Sequence, residues 1–91
     1  MRCFKFRVRS LVHSGGRRKD ELRFAHVWVN EIKLVKAEGL AKALLASQGW
    51  AIESVELSMA PSPQEIAALD PVQVAAHKRA LSDGSYAYFT T

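Results

Sequence analysis

Three histidines, one cysteine and a glycine pair are the residues of this chain whose types invite chemistry. His13, His26 and His77 are too widely spaced for any two to sit on one metal ion in the way that close-set ligand pairs do, so neither a metal site nor a cofactor is expected. His26 differs from the other two in its neighbours. At period two it shares a strand face with Phe24 and Trp28, a setting in which an imidazole can line a pocket. Cys3 has no histidine near it in sequence and lies in a first-strand position that favours burial, so it reads as a packed thiol and not as a nucleophile. Ser14-Gly15-Gly16 has the composition of a phosphate-cradling loop. Such loops lead into a helix whose amides hold the anion, whereas a strand follows here, and the segment reads as a turn.

The acidic residues offer no acid–base pair. Glu53 and Glu56 fall on opposite faces of one strand, Asp20 and Glu21 adjoin basic residues of a hairpin, and Glu65 has a helix-capping position. With no catalytic residue identified, the chain reads as non-catalytic.

The basic residues are more suggestive. Residues 1–23 hold eight bases (Arg2, Lys5, Arg7, Arg9, Arg17, Arg18, Lys19 and Arg23) and two acids, a local charge of +6 against −2 for the remainder and a net +4. Lys5, Arg7 and Arg9 project from one face of the first strand, and Arg17, Arg18 and Lys19 crowd the hairpin tip. Six cations in that arrangement can track a phosphate backbone, with Tyr86 and Tyr88 as stacking platforms if the last strand brings them to the same face. The aromatic-rich signature of the RNA-recognition fold is absent. A competing use of the sheet is an apolar face of Phe24, Trp28, Tyr86 and Tyr88 that meets its own copy about a two-fold axis.

Each of these readings depends on where the elements put the side chains. From Phe4 to Val12 apolar and charged residues alternate, which makes one dry and one wet face only in a strand. His13–Asp20, with its glycine pair, is the tip of a hairpin. The second strand, Leu22 to Asn30, is apolar on both faces, which predicts a partner subunit on one of them. Ala37, Leu40, Ala41, Leu44 and Leu45 recur at helical spacing and predict a helix over 34–48 that stops at Gly49. Gly39 lies inside it, so either the helix packs closely there or it starts later. Trp50 to Met59 alternates again, with Glu53 interrupting the apolar side. Ser62-Pro63-Gln64-Glu65 and Asp70-Pro71-Val72-Gln73 are two capping signatures in tandem. They predict helices over 63–69 and 71–82, the second with Val72, Ala75, Ala76 and Ala80 on its buried stripe. Tyr86 to Thr90 closes the chain as a short edge strand.

The order is β-β-α-β-α-α-β: an α+β fold with a single-layer, mostly antiparallel sheet of about four strands and helices on one face. It resembles a ferredoxin-like, split β-α-β two-layer sandwich in architecture, though its element order is not the standard one. A crossover through the first helix would set strands two and three parallel, with strand one between them and antiparallel to both. Ninety-one residues, 48% of them hydrophobic, fit one domain over 1–91 with one compact core. A lone cysteine permits no intramolecular disulfide, the start of the chain lacks a secretory apolar run, and no stretch approaches a membrane span; a cytoplasmic location is expected. The leading expectation is a small protein-interaction module that self-associates through its sheet as a homodimer. The alternatives are a nucleic-acid-binding module using the basic hairpin, and a small-ligand-binding or catalytic domain with a pocket near His26.

Overall fold

The computed structural model describes all residues from Met1 to Thr91. Its elements are β1 (Arg2–Ser10), β2 (Leu22–Val29), α1 (Leu34–Ser47), β3 (Trp50–Met59), α2 (Pro63–Ala67), α3 (Pro71–Asp83) and β4 (Ser85–Thr90), the order expected from the sequence. They form one four-stranded sheet in the order β3-β1-β2-β4 with every neighbouring pair antiparallel. β1 thus lies between β2 and β3, and β4 takes an edge, as the crossover argument requires.

The sheet is apolar on both sides because β2 is. Phe4, Phe6 and Val8 of β1 stand across from Val27, Ala25 and Arg23 of β2, and α1 lies over this face with Ala37, Ala41 and Leu45 fully buried against it. Trp50, Ile52, Ala87 and Phe89 extend the same core, with Trp50 and Phe89 stacked at 4.9 Å. The opposite face carries Cys3, Lys5 and Arg7 across from Trp28, His26 and Phe24, with Tyr86 and Tyr88 beyond. A second, smaller core forms there: Trp28 is 3% exposed beneath Ala76 and Ala80 of α3, with Met1, Cys3 and Leu69 around it.

Helices therefore cover both faces of the sheet, which corrects the expectation of helices on one face and leaves the ferredoxin-like label unsupported. The physical reason lies in Trp28. The large apolar indole needs cover on its own face of the sheet, and α3 supplies it with Ala76 and Ala80, four residues apart and both buried against it. Val72 and Ala75, expected on that stripe, face outward instead, and Val72 is 60% exposed.

Two local departures follow from long-range partners. β1 ends at Ser10 and not at Val12: the hairpin ladder closes at Ser10, whose amide donates to the Glu21 carbonyl and whose carbonyl accepts from the Asp20 amide, and the Leu11 amide makes the last bond on the β3 side, to the Gly49 carbonyl. In β3 the pairing with β1 slips between Lys5 and Phe6 and again between Arg7 and Val8, so two β-bulges re-aim the strand. The interruption at Glu53 in the sequence pattern marks one of them. Gly39 sits inside α1 with nothing near a built Cβ, so neither expectation for it holds: the helix starts at Leu34 and the glycine makes no close contact. No helix is long and apolar enough to cross a membrane.

Candidate functional site: a cleft under the tandem helices

The α2–α3 layer covers only part of its sheet face, and a cleft of about 420 Å³ remains between the two. Its floor is sheet: Cys3 and Lys5 from β1, His26 and Trp28 from β2, Tyr88 from β4. Leu57 and Met59 of β3 form one wall, on the Cys3 side of the strand because they pair with Lys5 and Cys3 below the first bulge. Pro61, Glu65, Ala68, Leu69 and Gln73 form the roof.

The roof is held by the two capping boxes read from the sequence. Ser62 Oγ accepts from the Glu65 amide at 3.2 Å while Glu65 Oε1 accepts from the Ser62 amide at 3.0 Å. Asp70 Oδ1 accepts from the Gln73 amide at 2.9 Å, and Gln73 Oε1 accepts from the Asp70 amide at 3.4 Å. Proline at the first turn of each helix fixes the break between them. Glu65 and Gln73 thus reach the cleft as side chains already oriented by their own caps.

On the floor, His26 stacks on Tyr88 with ring centroids 4.7 Å apart and planes within 9°. Its Nε2 lies 2.9 Å from Thr90 Oγ1. Burial and then the charge of Lys5 hold the imidazole below its ordinary range, so it is neutral at physiological pH. Burial, with a smaller push from the Glu65 carboxylate, raises the Cys3 thiol to about 11, so it stays protonated and is no nucleophile. Burial likewise raises the Tyr88 phenol, with Asp70 and Cys3 adding to it. Lys5 Nζ sits 4.5 Å over the ring of Phe24. The cleft is mainly apolar, holds neutral hydrogen-bonding groups, the Lys5 cation on the floor and the Glu65 carboxylate on the roof, and has the size of small-molecule sites. Such an arrangement can bind and orient a ligand; no three His, Cys, Asp or Glu side chains come together to hold a metal.

The residues singled out in the sequence scatter around this cleft. Of the six hairpin cations, Lys5 belongs to it. Arg7 is exposed beside Phe24 on the uncovered part of the same face, and Arg9 is claimed by Asp20 at 2.7 Å and Glu53 at 2.6 Å. Arg17 turns toward the α1 side, where it donates to Ser10 Oγ and to the carbonyls of Gln48 and Gly49 and lies 3.9 Å over Trp50. Arg18 and Lys19 are exposed at the tip. The expected row of six cations does not converge on one surface. Tyr86 and Tyr88 do reach the face of Lys5, but Tyr88 is stacked on His26 and Tyr86 lies by Trp28 with Arg79 5.4 Å over its ring.

Of the expected interface residues, Trp28 has almost no surface to offer a partner, since α3 covers it and His77 meets its edge at 5.5 Å. Phe24 is partly exposed. Sequence reasoning placed a pocket beside His26 but missed Cys3, Leu57, Met59 and Leu69 as its lining. The strand parity of Cys3 with Lys5, and of Leu57 with Met59, carried that information; the source of the roof did not. A larger, more open groove of about 670 Å³ runs between α3 and β4, lined by Val72, Ala75, Arg79 and Tyr86 among others. Its wider mouth encloses a ligand less fully, so the His26 cleft is the better candidate site. Comparison of the chain with protein-family models, with curated proteins and with solved structures finds no match.

Proposed function

We propose that this protein is a small-ligand-binding domain whose ligand occupies the cleft between the sheet and the α2–α3 layer. The observation that carries this reading is the cleft itself: about 420 Å³ of mostly apolar space, with Lys5, His26, Tyr88 and Gln73 converging on it. The protonated thiol of Cys3 and the neutral imidazole of His26 favour binding over covalent chemistry. A cytoplasmic setting belongs to the same proposal, since Cys3 is the only cysteine and the fold uses no disulfide.

A small-molecule fragment screen followed by amide and indole NMR shifts tests it. Hits should cluster on Cys3, His26, Leu57, Leu69 and the Trp28 indole, and Ala68→Phe, which fills the cleft from an exposed position, should abolish them. Fragments that bind elsewhere, or equally well to Ala68→Phe, would count against it.

A second reading, self-association, is favoured by one observation: β4 is an edge strand with an apolar groove beside it, where Val72 is 60% exposed. Two copies pairing along β4 would form a homodimer with a continuous sheet. Light scattering on a size-exclusion column decides this, and a monomer at high micromolar concentration would rule it out. Nucleic-acid binding through the hairpin is the least favoured reading, because Arg9 and Arg17 are committed within the chain.

A further inference from the structure

Lys5 has no carboxylate partner within the fold, and it is the one basic residue of the cleft lining. Arg9, Arg23, Lys36, Lys42 and Arg79 each pair with a carboxylate, and Arg17 is satisfied by a hydroxyl and two carbonyls. Lys5 is half-buried, lines an apolar cleft, and has only the Phe24 ring at 4.5 Å to offset its charge. A ring face at that distance contributes less than a full ion pair in a dry site, so the ammonium depends on the water it keeps.

We infer that the ligand of the cleft is an apolar monocarboxylate, its carboxylate paired with Lys5 and its hydrocarbon body lying over Trp28 between Leu57, Met59 and Leu69. This rests on the cleft being a ligand site, as proposed above. A neutral ligand of the same shape would strip water from Lys5 and give nothing back, and a cationic one would be repelled. The other ionisable groups of the floor do not compete for the role. Cys3, His26 and Tyr88 are uncharged at neutral pH, and the Glu65 carboxylate, the one anion of the lining, accepts from the Ser62 amide on the roof and is not paired with Lys5, so a ligand carboxylate is directed to the floor. One ammonium, without an arginine fork or a cluster of backbone amides, matches one carboxylate better than a doubly charged phosphate.

Octanoate, 1-octanol and octylamine share a chain and differ only in the head group, so they separate the two claims. Titrated into the 91-residue protein and followed at the Trp28 indole and the Leu57 amide, octanoate should bind about tenfold or more tightly than either of the others. Lys5→Met, which keeps the aliphatic stem, should erase that preference, with 1-octanol binding at least as tightly as before because no ammonium is left to desolvate, and Lys5→Arg should retain it. If all three compounds bind alike, or if Lys5→Met keeps the preference for octanoate, the carboxylate inference is overturned while the cleft stands as a ligand site. If none of the three perturbs the cleft, the inference falls and the proposed function falls with it.

Discussion

The guanidinium carbon of Arg17 lies 3.9 Å from the centre of the Trp50 indole while its nitrogens reach Ser10 Oγ at 3.1 Å, the Gln48 carbonyl at 2.9 Å and the Gly49 carbonyl at 3.0 Å. A residue from the hairpin tip thereby closes the end of α1 and anchors the start of β3. The Gln48 carbonyl is one that a helix leaves unpaired at its C-terminus, and the Gly49 carbonyl also accepts from the Leu11 amide. Arg17→Ala should therefore destabilise the fold by about 2 kcal/mol, the scale of one stacked cation plus charged hydrogen bonds. Arg17→Lys should recover little of it, since an ammonium cannot stack and fork at once. Urea unfolding of the two variants checks this; an Arg17→Ala protein with the parent midpoint would mean that the contacts contribute nothing net.

Two glycines of the same region should respond in opposite directions. Gly39 is exposed in mid-helix with open space where a Cβ would go, so Gly39→Ala should stabilise the protein by about 1 kcal/mol. Gly49 has φ of +80° and a Cβ there would stand 3.2 Å from Val12 Cγ1 and 3.3 Å from Arg17 Nη2, so Gly49→Ala should cost about 1–2 kcal/mol. Thermal unfolding of the pair gives the sign of each.

Stability should fall at both ends of the pH range, through two different cleft residues. His26 is easier to protonate in the unfolded chain than in the fold, so its contribution is complete above the ordinary value of 6.5 and is lost as pH falls through the lower folded value. Cys3 behaves oppositely. Its thiol ionises near 9.0 when unfolded and near 11 when folded, so its contribution is complete below 9.0 and is lost as pH rises through 11. Urea midpoints across pH should show a shallower acid limb in His26→Gln and a shallower alkaline limb in Cys3→Ala, where the raised Tyr88 phenol keeps part of the alkaline loss. Unchanged limbs would show that other groups govern both.

The order of elements was legible because each carries a local signal: period-two alternation in β1, tandem capping boxes before α2 and α3, glycine after α1. The strand order followed from one crossover. The second helical layer was not legible. A strand with Phe24 and Trp28 on one face and Ala25, Val27 and Val29 on the other states that both faces need cover, but not whether the cover comes from another subunit or from later in the same chain. The fate of the cations was equally hidden. Arg9 and Arg17 look alike as exposed basic residues until Glu53 and the carbonyls of Gln48 and Gly49, more than thirty residues away, are brought beside them.

The two apolar clusters lie on opposite sides of one sheet and share no side chain, so the two helical layers can separate from it independently. The α1 layer is held by ten buried residues, whereas the α2–α3 layer is held by Trp28 against two alanines with partly buried neighbours. Deuterium should accordingly enter the amides of residues 63–83 well before those of α1. A compound bound over the floor of Cys3, Lys5 and His26 should slow exchange in residues 63–83 while leaving α1 unaffected, and the size of that difference reads out how far the bound molecule ties the smaller layer to the sheet.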